Sequence, residues 1–279
     1  MKSFRLINRS LLVLCLLVFN TAVFAQQGVN VQKYEPEVGQ EGKDVIWVPT
    51  PPELVDKMLE IAGVTSKDYV IDLGSGDGRI VIAAARFGAR SLGIEYNPDM
   101  VELSKKNAEK EGVGDEARFI NADLFEYDFS EATVITMFLL AEINMQLGPR
   151  FLDLKPGTRI VSNTFGMGEW QADLIVTLDG PYVWNKALLW IVPAKVEGTW
   201  DLENGELILR QEFQRTYGSL TTGQNSYDIY DGKLYGKEIT FSANGAIYNG
   251  RITGNRMEGT VTNGSDINSW SANRREIEP

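Results

Sequence analysis

The sequence predicts an α/β fold, an open and mostly parallel sheet followed by a small antiparallel β-barrel domain, and three observations predict it. The stretch Tyr69 to Ile80 (YVIDLGSGDGRI) reads as a buried strand, a glycine turn and the start of a helix. Two more apolar runs end on or near an acid, SLGIEY with Glu95 and ARFINADLF with Asp123, so strands and helical segments alternate as in a parallel sheet. From about Lys195 the pattern becomes short alternating runs punctuated by Asn204-Gly205, Asp231-Gly232, Asn244-Gly245 and Asn263-Gly264, which are hairpin signals. Seven or eight such strands close most economically into a barrel, because closure removes exposed edges.

In chain order, Lys2, Arg5 and Arg9 precede the apolar run Leu11 to Phe19 and then Val23-Phe24-Ala25, the basic, apolar and small-residue pattern of a secretory signal over residues 1–25. The run is too short to span a bilayer comfortably, so no stable membrane span is expected after cleavage. The expected address is outside the cytoplasm, in the periplasm or cell envelope. Losing Lys2, Arg5 and Arg9, with no acids, takes the formal charge from −11 to −14. So acidic a protein argues against nucleic acid as a partner, whose binding face is basic.

Residues 26–45 are polar, without an apolar period, and read as a flexible lead-in. Ile46-Trp47-Val48-Pro49-Thr50-Pro51 then brings rigid and aromatic residues up to a helix whose apolar positions are Leu54, Met58, Leu59 and Ile61, closed by Gly63. Thr50 with Glu53 three places later makes a capping box, and Pro51 and Pro52 suit the first helical positions.

Val70 and Ile71 suit a buried strand, and Gly74, Gly76 and Gly78 allow positive φ and close backbone approach to a ligand. The dinucleotide fingerprint needs a glycine three places after Gly76, where this chain has Arg79. Asp72 would also face a pyrophosphate with a like charge. A ligand carrying an ammonium group is favoured instead. Glu95 lies twenty-one places after Gly74, where an acid is expected to accept ribose hydroxyls, and Asp123 stands where an adenine amino group can be met. The chain has no histidine and one cysteine, Cys15, inside the signal. That removes the Ser-His-Asp triad, the usual general base and thiolate chemistry.

Asn97-Pro98 opens a further helix with a solvated charged face, and ATVITMFLL (Ala132 to Leu140) is a buried strand. A fifth strand, Thr158 to Ser162, leads into NTFGMGEW, whose Asn163, Phe165 and Trp170 are candidates to line an acceptor pocket. Ala172 to Leu178 and Ala187 to Val192 read as a closing antiparallel pair.

These motifs carry a resemblance. From about Ile46 to Trp170 the chain resembles the class I S-adenosylmethionine-dependent methyltransferases, with VIDLGSGDGRI, GIEYNP and INADLF as their first three motifs. WVPTPPELVDKML, DLGSGDGRIVIAAA and ITMFLLAEIN look more particularly like a subgroup of protein-lysine methyltransferases without a SET domain, which includes enzymes acting on mitochondrial membrane proteins. The resemblance implies a seven-stranded Rossmann-like sheet over residues 46–194, with the barrel at 195–279. It implies S-adenosylmethionine as cofactor, held by Asp72, Gly74, Ser75, Gly76, Glu95, Tyr96, Asp123 and Thr50. Trp47 and Thr50 would belong to a lid over it. Phe138, Glu142 and Asn144, at the end of the fourth strand, would meet the methyl acceptor, a protein lysine or a small molecule. A secreted binding protein that keeps the fold without turnover is the reading from another class.

Overall fold

The three glycines of the turn take left-handed backbone angles, Gly74 at φ 75°, Gly76 at 55° and Gly78 at 84°, a region that residues with a Cβ avoid. The computed structural model describes residues 34–275. The expected signal, residues 1–25, and the lead-in as far as residue 33 lie outside the described residues. From Pro36 onward the chain forms one compact unit.

Strands β1 (Tyr69–Leu73), β2 (Arg90–Glu95), β3 (Ala117–Asn121), β4 (Val134–Met137), β5 (Arg159–Asn163), β6 (Leu174–Thr177) and β7 (Lys186–Ile191) make one seven-stranded sheet in the order β3-β2-β1-β4-β5-β7-β6. Strands β1 to β5 pair in parallel, and β7 runs against both β5 and β6. Strand order reverses between β1 and β4, and the crevice at that reversal is where open α/β sheets bind ligands.

Alternate residues of the strands feed opposite faces. Ile71, Leu73, Ile135 and Met137 pack with Ile143, Leu147 and Phe151 of helix α4 (Ala141–Leu152). Val70, Val134 and Val161 pack on the other face with Leu54, Val55, Met58 and Leu59 of α1 (Pro52–Ile61) and Ala83 and Ala84 of α2 (Arg79–Arg86). The alanines let α2 lie close to the sheet. Beyond it, Val101 and Ala108 of α3 (Pro98–Lys110) meet Ala117 and Phe119. Asn97 caps α3, its side-chain oxygen accepting from the amides of Asp99 and Met100. Among the described residues no helix is long and apolar enough to cross a membrane.

The second half is a barrel of β8 (Gly198–Leu202), β9 (Gly205–Glu212), β10 (Arg215–Thr222), β11 (Asn225–Asp228), β12 (Tyr230–Tyr235), β13 (Glu238–Ala243), β14 (Ala246–Thr253), β15 (Arg256–Asn263) and β16 (Asp266–Arg274). The ring closes through the full-length pairing of β9 with β10. β11 and β12 pair with successive stretches of β10 and share one place, so the ring has eight positions. Trp200, Phe241, Met257 and Trp270 are among the side chains that fill its interior. Phe241 stacks on Tyr248 at 4.8 Å, and Trp270 meets both rings edge-on.

One hairpin signal is corrected. Asp231-Gly232 lies inside β12 as a bulge, where the register with β13 shifts between Tyr230 and Lys233, and Asp231 takes φ 53°. A bulge needs the same left-handed tolerance as a turn, which is why the dipeptide suits both. The barrel meets the α/β half through Trp170 stacked on Phe213 (5.9 Å, 4°). Gln214 also donates to the Gln171 carbonyl (2.7 Å), and the Ala194 amide donates to the Gly236 carbonyl (2.7 Å).

Candidate active site

The glycine turn sits where β1 leaves the sheet, and its own bonds fix its shape. The amides of Gly74 and Ser75 both donate to the Ile94 carbonyl of β2, at 2.9 and 3.0 Å. The Gly76 amide donates to one carboxylate oxygen of Glu95 and the Asn97 amide to the other, each at 2.9 Å. A carboxylate has about four acceptor positions, so Glu95 keeps capacity for ligand hydroxyls. A Cβ at Gly76 would stand 2.7 Å from the Trp47 ring nitrogen, so only glycine lets the indole lie over the turn.

Asp72, Gly74, Ser75, Gly76, Glu95, Tyr96, Asp123, Thr50 and Phe138 all line one solvent-open cleft. Asp72 is buried and accepts from the Thr136 hydroxyl at 2.7 Å. Burial pushes its carboxyl up to about 7 against the opposing effect of that bond, and Glu95 and Asp77 push it the same way as burial. The buried Ser75 hydroxyl has no hydrogen-bond partner among the described residues. Asp123 binds the Phe125 amide (2.9 Å) and pairs with Lys43. The Lys43 hydrogen bond, the largest influence, holds its carboxyl below the usual range.

The segment expected as lead-in contributes a wall of this cleft from Gln40 onward. It is folded back on itself by paired backbone bonds between Gln40 and Trp47 and between Gly39 and Trp47. Lys43 also lies over the Tyr96 ring at 4.9 Å. Arg79 ties this segment to the glycine turn, holding Asp77 through two nitrogens (2.9 and 2.6 Å) and donating to the Thr50 carbonyl (2.8 Å). Lys43 and Arg79 escaped the sequence reading. The departure from the dinucleotide fingerprint at position 79 was the one signal available for the second.

The capping box is corrected. The residue capping α1 is Pro51, with no side-chain bond. Thr50 is 3% exposed, and its hydroxyl accepts from Asn163 at 3.2 Å. Glu53 accepts from the Tyr182 hydroxyl. Thr50 is thus a cleft residue tied to the end of β5.

On the acceptor side the three expected residues part company. Phe138 reaches the cleft. Glu142 is exposed on the first turn of α4 and does not line it, whereas Ile143, one position on, does. Asn144 is fully buried and turned away. Its amide donates to the carbonyls of Phe165 (3.1 Å) and Gly166 (3.3 Å), so it holds the loop after β5. Trp170 is also corrected, since it is buried against Phe213 of the barrel and lines no acceptor pocket. Phe165 does join Phe138, with centroids 6.1 Å apart and planes 22° apart. Trp184, from the β6–β7 hairpin, meets Phe138 edge-on at 5.9 Å.

Comparison with known proteins agrees with this geometry. The family model described as ANTKMT methyltransferase domain matches residues 72–174. A protein-lysine N-methyltransferase of Saccharolobus islandicus (strain REY15A) is 41% identical over 151 residues, covering 53% of this chain and 94% of that protein. The adenine nucleotide translocase lysine N-methyltransferase of Mus musculus is 32% identical over 117 residues, 41% of this chain and 51% of that protein. A solved structure described as an RNA methyltransferase from Salinibacter ruber in complex with S-adenosyl-L-homocysteine is 50% identical. It covers 53% of this chain and 96% of its own, with a TM-score of 0.51. An α/β sheet in this strand order, a glycine cradle between three strand-end acids, and a relative matched over nearly its whole length place the chain in the protein-lysine N-methyltransferase family of class I S-adenosylmethionine-dependent methyltransferases.

Proposed function

We propose that the protein transfers a methyl group from S-adenosylmethionine to the side-chain nitrogen of a lysine on a protein. The observation that carries the reading is the set of strand-end acids around one glycine turn, Asp72, Glu95 and Asp123, in a cleft whose far wall is the aromatic end of β4. Each fits one part of the cofactor. Asp72, buried and close to half ionised near neutrality, suits the ammonium of the amino acid end. Glu95 has acceptor capacity for the ribose hydroxyls, and Asp123 suits an adenine amino group.

When bound, the cofactor supplies an electrophilic methyl group. The protein's own part is to place the acceptor nitrogen in line with it and to exclude competing water, for which positioning alone gives large rate gains. The acceptor must lose a proton first. The chain has no histidine to take it, and turnover should rise with pH towards the amine's own range.

The relatives' printed substrates differ, protein lysine in two and RNA in the Salinibacter structure. A formal charge of −11 favours a cationic acceptor over a polyanion. Incubating envelope extract with the protein and labelled cofactor, then locating the label by mass spectrometry, tests this. Label on lysine is expected, and label confined to RNA or small molecules would overturn it. We also place the mature protein outside the cytoplasm, on the pattern of residues 1–25. An intact mass beginning at Gln26 is expected, and Met1 retained on cytoplasmic protein would overturn it.

A further inference from the structure

Four large aromatics of the α/β half, Phe129, Phe151, Trp170 and Trp190, are at most 2% exposed and belong to its core. Phe138, Phe165 and Trp184 are different. They form a second cluster, only half-buried, at the carboxyl edge of the sheet. Three separate elements bring them there, the ends of β4 and β5 and the hairpin between β6 and β7. Strand pairing fixes the hairpin's position, because Asn163 at the end of β5 lies beside Ala187 at the start of β7.

The placement of Phe165 is stiff. Thr164 takes φ 63°, an unfavourable angle for a β-branched residue, and the Phe165 amide turns back to the Asn163 carbonyl at 2.7 Å. The buried Asn144 amide then holds the Phe165 and Gly166 carbonyls. Trp184 follows Tyr182, whose hydroxyl donates to Glu53 on α1 at 3.2 Å. Backbone strain together with a buried polar clamp is an arrangement kept at functional sites. A core ring needs neither.

Resting on the lysine reading above, we propose that Phe138, Phe165 and Trp184 form the acceptor channel, that their π-faces receive the side-chain ammonium, and that Trp184 is its specificity-determining residue. Phe138 belongs to both the cofactor cleft and this cluster, so a nitrogen guided along the rings arrives at the cleft wall. Aromatic faces attract cations and Trp does so most strongly, which gives the channel a preference for charge over shape. Asn144 and Thr164 act as positioning residues for Phe165.

The test uses the full chain and two probes of equal shape, Nε-trimethyllysine amide and its uncharged carbon isostere, with binding followed by NMR titration. Wild type should prefer the cation by about 3- to 10-fold, the scale of partly exposed cation–π contacts. Trp184→Ala should bring the ratio close to one, and Trp184→Phe should keep part of it. Affinity for S-adenosylmethionine, measured by calorimetry, should stay within about twofold in both variants. Equal binding of the two probes by wild type, or a ratio unchanged in Trp184→Ala, would overturn the channel. The two readings fail separately. Label on lysine with no charge preference leaves the function and removes the channel, while a Trp184-dependent charge preference with label only on other acceptors leaves the ammonium site and removes the lysine reading.

Discussion

The Glu95 carboxylate accepts the Gly76 amide at 2.9 Å and so holds the glycine turn from the neighbouring strand while facing the cleft. Its second oxygen accepts the Asn97 amide, so one side chain shapes the turn and the entry to α3. Glu95→Ala should weaken S-adenosylmethionine binding about 10- to 100-fold, the loss of one or two charge-assisted bonds. It should also lower stability by roughly 1–3 kcal/mol, because two backbone donors lose their acceptor. Glu95→Gln should do less on both counts. Calorimetric titration and thermal unfolding of the three proteins check this, and unchanged affinity in folded Glu95→Ala would remove the ribose assignment.

Asp72 predicts a pH dependence. Its folded carboxyl lies at about 7, against roughly 3.9 in an unfolded chain. Between those values the unfolded chain releases a proton that the folded protein keeps. Asp72 therefore lowers stability as pH rises through that window, by up to about 1.4 kcal/mol per pH unit, and levels off above pH 7. Asp72→Asn should remove this component, so the wild-type deficit relative to the variant grows from pH 5 to pH 7 in urea unfolding. Cofactor affinity should move oppositely in wild type, rising through pH 7 as the carboxylate forms to meet the ammonium. A flat difference between the two proteins would show that the carboxyl is already ionised at pH 5.

Thr164 predicts a separation of stability from binding. Replacing it with glycine relieves a left-handed angle that costs a Cβ residue about 1–2 kcal/mol, and glycine's greater freedom when unfolded offsets much of that. Thr164→Gly should hold Tm within a few degrees of wild type, while the looser loop lets Phe165 wander and weakens trimethyllysine amide binding several-fold. Scanning calorimetry and the NMR titration test the pair of effects. A fall in Tm of ten degrees would mean that the threonine side chain, not its backbone angle, matters.

Among the described residues, no barrel residue lines the cleft. Residues 34–194 alone should therefore bind S-adenosylmethionine within about threefold of the whole chain. They should unfold at lower temperature, because Trp170, 2% exposed in the whole chain, loses Phe213. Loss of binding by a fragment that keeps native circular dichroism would make the barrel part of the site.

That Asp72, Glu95 and Asp123 would meet in one cleft was legible because the signals for it are local. Asp72, Glu95 and Asp123 stand in fixed relation to strand ends and glycines, and pleating leaves little choice about where such residues point. The acceptor side was not. Glu142, Ile143 and Asn144 are consecutive on a helix, so each is turned by about 100° from the last. Only the packing of α4 decides that Ile143 meets the cleft and Asn144 the β5 loop. Thr50 carries a sound local capping signal that a buried bond from Asn163 overrides, across 113 positions. Trp170 looked like a pocket residue because its partner, Phe213, lies in the other half of the chain.

Gly236, in the turn between β12 and β13, lies against Gly157, and a Cβ there would come within 3.1 Å of the Gly157 backbone. Trp170 on Phe213 is a second, separate attachment. The two contacts touch separate places on the α/β half, so a substitution that removes one leaves the other in place.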